Sequence, residues 1–60
     1  MYDNQTVLDS IINGQTKQWK RQLLSMSLND RGEFIAWLKS IGERDMAIEI
    51  AIKIIKRELK

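Results

Sequence analysis

Apolar residues recur with a helical period in four stretches of the chain. Val7, Leu8, Ile11 and Ile12 follow i, i+1, i+4, i+5 spacing, which predicts a short helix over about residues 5–13. Asn4 or Thr6 offers its N-cap, with Asp9 three residues after Thr6 in a capping-box-like position. Asn13-Gly14 reads as its end, because both residues tolerate the left-handed backbone that closes a helix. The alternative is one long helix running through Gly14, at a cost of about 1 kcal/mol relative to alanine. The polar run of residues 13–18 favours the break.

Trp19, Leu23 and Met26 then fall at i, i+4, i+7 and predict a second helix over about residues 16–26. Lys17, Lys20, Arg21 and Leu24 make up its opposite strip. Ser27 is a start signal, with Asp30 at the third position to meet the positive end of the helix dipole. Phe34, Trp37, Leu38 and Ile41 are the clearest stripe, in a third helix over about residues 29–41 that Gly42 terminates. A fourth helix spans about residues 43–59, with Glu43 and Asp45 at its start and Lys56, Arg57 and Lys60 at its end, as the dipole prefers. Residues 48–54 also alternate with period two in β-branched residues, which is a strand pattern. The uninterrupted length of the segment and the lack of any sheet to join favour helix.

This last helix has an unusually wide apolar face. On a helical wheel its isoleucines, alanines and Leu59 cover about 200°, where an ordinary surface helix has an apolar stripe a little over 100° wide. It divides into two seams. One seam is Ile48, Ile52, Ile55 and Leu59, of which Ile48, Ile52 and Ile55 are assigned to the core, together with Leu8, Ile11, Trp19, Leu23, Phe34, Trp37, Leu38 and Ile41. Ala47, Ile50, Ala51 and Ile54 are assigned to self-association, most simply in a two-fold homodimer. The alternative is a monomer whose N-terminal helices wrap over both seams. The expected fold is therefore all-α: one domain over residues 1–60, of three to four helices ending in a C-terminal αα-hairpin, and a homodimer.

Composition narrows the picture. At 60 residues the chain is small enough to need help with stability, and it has no cysteine for disulfides and neither cysteine nor histidine for the common zinc sites. Helix packing and self-association remain. No secretory signal opens the chain, and the longest apolar run, residues 34–38, is far short of the roughly 20 residues that span a bilayer. The expected location is the cytoplasm. The chain opens with Met and carries no tag-like stretch, so it reads as a complete small gene product.

Candidate chemistry is sparse. General acid–base and nucleophilic catalysis lean on histidine, cysteine and activated serine; the first two are absent and no serine has a base at a recognisable spacing. Glycine-rich phosphate loops and calcium-loop spacings are also absent. The chain is read as a non-enzyme without cofactor or metal.

Net charge is +2, and two bands of the chain, residues 15–28 and 51–60, are net basic. Lys17, Lys20, Arg21, Lys56 and Arg57 are candidate contacts for a protein partner or for phosphates, and Leu24 is an apolar spot rimmed by the first band. The segment around Gly42 fits a helix-turn-helix poorly, because Leu38 stands where a small residue is usual and Glu43 where an apolar one is. The basic last helix also invites a membrane-surface reading, but it lacks interfacial aromatics and its apolar face is wanted for packing. The function expected is that of a small helical interaction protein that binds and modulates a larger protein or complex, of the kind encoded by phages and bacteria. The alternative is a basic helical nucleic-acid-binding regulator.

Overall fold

A computed structural model describes residues 3–59 of the chain, and these fold into α1 (Asn4–Ile12), α2 (Thr16–Leu24), α3 (Leu28–Ser40) and α4 (Arg44–Ile55). No strand occurs among the described residues; the alternating stretch from Ile48 to Ile54 lies within α4. Each pair of consecutive helices is joined by three residues, a short link for helix–helix connections. The Cα radius of gyration is 10.2 Å, against about 10.4 Å expected for a folded chain of this length. α1 packs on α2 and α3 on α4.

The starts of α1 and α3 follow side-chain capping, in one case by an unexpected residue. Ser27 is extended, and its hydroxyl accepts from the Asp30 backbone N–H at 3.1 Å. For α1 the cap is Asp3, not Asn4 or Thr6: its carboxylate accepts from the Thr6 N–H at 2.7 Å. Asp9 is not part of a capping box and instead accepts from the Gln5 side chain one turn earlier, at 2.9 Å. All three candidates are good caps by type, so backbone conformation decides, and Asp3 is the residue with extended φ and ψ.

Three of the four helices end the same way. After α1, Gly14 is left-handed at φ 71°; its N–H donates to Ile11 O and the Gln15 N–H to Ser10 O. After α3, Gly42 at φ 88° repeats the arrangement, with donors Gly42 and Glu43 to Lys39 O and Leu38 O. This is the Schellman motif, in which two crossed bonds satisfy carbonyls that the helix end leaves open. The chain thus breaks at Gly14 and does not run on as one long helix.

After α4 the motif is built on a non-glycine residue. Arg57 is left-handed at φ 57°, its N–H donating to Ile54 O and that of Glu58 to Lys53 O. The helix therefore stops at Ile55, short of the expected residue 59, although residues 56–59 are all acceptable helix formers. Tertiary packing overrides propensity here. The reversed chain carries Leu59 back into the core, where it is 4% exposed.

Phe34, Leu23, Leu38 and Val7 are the largest fully buried side chains, with Leu8, Trp19, Met26, Ala47, Ile50 and Leu59 completing the core. Phe34 stacks on Trp37 with ring centroids 6.1 Å apart. The two seams of α4 are reversed relative to the sequence expectation. Ala47 and Ile50, assigned to self-association, are buried within the protomer, and Ala51 and Ile54 beside them are half-buried. Ile48, Ile52 and Ile55, assigned to the core, are exposed, as is Ile41 in the preceding turn. The physical reason is size: the small Ala47 side chain allows α4 to sit close against the core, and Ile50 follows it inward.

The Thr6 hydroxyl and backbone N–H hold the Asp3 carboxyl below its ordinary value of 3.8. A depressed carboxyl pKa adds stability that is present above the unfolded value and lost as pH falls through the folded one. Asp3→Ala should therefore lower the melting temperature at neutral pH and differ little from wild type near pH ~2, whereas Asp3→Asn should keep the cap at both. Circular-dichroism melts of the three proteins check this. Separately, Gln22 is buried and its Oε1 has no hydrogen-bond partner among the described residues. A buried unpaired acceptor costs about 1–3 kcal/mol, so the nearly isosteric Gln22→Met should raise the melting temperature by several degrees; a lowered one would show that the oxygen is satisfied in solution.

Candidate functional site

α2 presents two faces of opposite character. Trp19, Gln22 and Leu23 point into the core. The other face carries Thr16, Lys17, Lys20, Arg21 and Leu24, which successive steps of about 100° bring onto one strip. With Leu59 these five residues line an open hollow of about 620 Å³. Leu24 and Leu59 also line a second hollow of about 250 Å³, completed by Leu28, Arg31, Ile54 and Arg57. The two share Leu24 and Leu59 and so adjoin, making a grooved surface along α2 and past the start of α3 to the C-terminal turn.

The apolar lining of this groove, or its floor, is Leu24, Leu28, Ile54 and Leu59, and its cationic lining, or rim, is Lys17, Lys20, Arg21, Arg31 and Arg57. No lining residue is acidic. One of the cations, Arg31, is held in place by hydrogen bonds. Arg31 donates from Nε to Leu23 O at 2.8 Å and from Nη2 to Leu24 O at 3.1 Å, covering carbonyls that the end of α2 leaves open. The Lys20 ammonium lies 6.0 Å from the centre of the Trp19 ring, at the outer reach of a cation–π contact.

The structure thus brings Lys17, Lys20, Arg21 and Leu24 together, and places Arg57 in the adjoining hollow. Lys56 is exposed and lines neither hollow. Arg31, Leu28 and Leu59 line these hollows without being among the candidate site residues of the sequence. The one available signal was Leu28, a large apolar residue directly after the Ser27 cap, which is 74% exposed.

A second apolar surface lies on the outer face of α4. Ile48, Ile52 and Ile55, at i, i+4, i+7, form an exposed stripe, with Ile55 at 79%. Beside it Glu49, Ile52, Lys53 and Glu58 line a shallow hollow of about 330 Å³. Among the described residues, no group of three or more metal-ligating side chains comes together, and no helix is long and apolar enough to cross a membrane.

Fold and surfaces together define a small all-helical protein with two exposed apolar features, one of them rimmed by cations. No protein-family model matches the chain, and no curated protein or solved structure shows significant similarity to it.

Arg57 is the groove residue that the backbone tests directly. An L side chain in the left-handed region costs roughly 1–2 kcal/mol, and glycine occupies the equivalent place after α1 and α3. Arg57→Gly should therefore stabilise the fold by about 1 kcal/mol. Gly42→Ala should destabilise it by a similar amount, through backbone conformation alone, since a Cβ there would meet nothing within 4 Å. Chemical denaturation of both variants gives the two signs.

Proposed function

We propose that this chain is a non-enzymatic, cytoplasmic interaction protein that binds and modulates a larger protein or complex, and that it acts as a homodimer. The observation that carries the reading is the placement of its exposed apolar side chains. Among the described residues seven large hydrophobics are exposed, and five of them are grouped: three form the α4 stripe and two, Leu24 and Leu28, line the groove, while Ile12 and Ile41 stand apart. Grouped apolar surface on a small protein marks a place of association.

In this reading α3 and α4 act as a C-terminal αα-hairpin whose outer face pairs with a second copy. Pairing uses Ile48, Ile52 and Ile55, in place of Ala47, Ile50, Ala51 and Ile54, which face the protomer's own core. An antiparallel arrangement sets the acidic start of one helix, at Asp45, toward the basic end of the other, so opposite charges accompany the apolar stripe. A stable interface removes roughly 800 Å² from each partner, and the protomer exposes 4288 Å², so most of this face would be used.

A second reading, nucleic-acid binding, draws on the convergence of five cations around the groove. Its floor argues the other way, because leucine and isoleucine offer bases no aromatic surface to stack on.

Sedimentation across a dilution series down from hundreds of micromolar tests the dimer. The expected species has twice the 7.1 kDa protomer mass. Ile52→Glu should give the single protomer with an unchanged helical spectrum, while Ile50→Glu, at a core position, should unfold it. A single protomer mass throughout would sink the homodimer. Pull-down from nuclease-treated and untreated extract tests the rest: a stoichiometric protein that survives nuclease supports protein binding, and a catch that vanishes moves the assignment to nucleic acid.

A further inference from the structure

The groove has a chemistry of its own, separate from the α4 stripe. Its two hollows share Leu24 and Leu59, and every charged residue that lines them is cationic. The Arg31 guanidinium is tied to the last carbonyls of α2 and so stays at the edge of the floor. Arg57 occupies a backbone conformation that glycine would fill with less strain, and it stands on the same rim. Strained residues of this kind persist where surrounding structure holds them, and they concentrate at binding surfaces.

An occupant of this groove must bring apolar side chains for the floor and negative charge for the rim. An amphipathic helix supplies both in one element, with apolar anchors at i, i+4, i+7 and carboxylates along the flanks. Nucleic acid supplies the charge but not the anchors. We propose that the groove docks an acidic amphipathic helix of the larger protein, its apolar residues seated on Leu24, Leu28 and Leu59 and its carboxylates facing Lys17, Arg21 and Arg57. This inference rests on the protein-binding function proposed above.

The test is anisotropy with the full chain and a fluorescein-labelled, glutamate-rich peptide of about four helical turns, carrying leucines at i, i+4, i+7. The comparison probes are a scrambled peptide of equal composition, a lysine-for-glutamate analogue, vesicles of anionic lipid and an oligo-deoxythymidine. The acidic peptide is expected to bind in the micromolar range, more tightly than every other probe, and less tightly as salt rises. Leu24→Glu and the milder Leu24→Ser should each weaken it on the order of tenfold. Arg57→Gly should also weaken it while melting higher than wild type, which separates lost binding from lost folding. Ile52→Glu should leave the affinity unchanged.

Equal binding of the scrambled peptide, tighter binding of vesicles or oligonucleotide, or indifference to both Leu24 variants would overturn the proposal. A nuclease-resistant partner from extract that Leu24→Glu retains as well as wild type overturns the groove while protein binding stands. If no nuclease-resistant partner is found, that reading fails and the groove proposal fails with it.

Discussion

A helix end closed by two crossed backbone hydrogen bonds around one left-handed residue sets the geometry on which the rest depends. The arrangement occurs at Gly14, Gly42 and Arg57, and each time it reverses the chain within about three residues. The reversal at Gly42 lays α4 against α3 with Ala47 and Ile50 inward. That at Arg57 turns the tail so that Leu59 is at once core and groove floor. Without the third turn, continued helix would carry residues 56–59 away from α2, and the groove would lose one side. A 60-residue chain without disulfides has little other means of fixing its elements.

Much of this is legible in the sequence, and the parts that are not share a cause. The four helices follow from apolar period, Ser27 from its place before an apolar stripe, and the breaks at Gly14 and Gly42 from glycine's tolerance of positive φ. These are local signals. The wide apolar arc of α4 is also visible as two seams, but which seam turns inward depends on how closely α4 can approach the core, and that is a property of the packed pair of helices. The same holds for the C-terminal turn: nothing in residues 56–59 announces a stop, and the burial of Leu59 that rewards it is a tertiary effect. The groove was half legible. Lys17, Lys20, Arg21 and Leu24 share a strip of one helix, so spacing alone collects them. Leu28, Arg31 and Leu59 come from other elements and meet them only after folding.

Several features run against the greatest stability available to this chain. Gln22 buries an unpartnered oxygen, Arg57 sits where glycine would be relaxed, and the isoleucine stripe of α4 remains in solvent. Their positions differ in meaning. Gln22 lies on the core side of α2, about opposite the groove strip, so its cost is internal to packing. Arg57 and the stripe lie at the surface, each within a feature that association would cover. Stability given up at an exposed, grouped position is the kind that binding restores, because a partner that recognises only the folded state adds its own free energy to folding.

The two surfaces use different faces of α4. Ile54, in the groove floor, and the centre of the Ile48–Ile55 stripe are roughly 130° apart on the helix. Pairing through the stripe therefore need not cover the groove, and a two-fold dimer would present two grooves related by the same axis. For a single shallow groove with a floor of four aliphatic side chains, affinity is expected to be modest, since solvent screens its rim charges. Two such grooves on one rigid particle change the arithmetic. Once the first is filled by a partner that carries two copies of the acidic segment, the second binds at an effective concentration set by geometry, and overall affinity can rise by 10²–10⁴ without any new contact, as an order-of-magnitude scale. Self-association and partner binding would then be two halves of one device. The surplus isoleucines of α4 would set the spacing, and the cationic rim on α2 would read the charge.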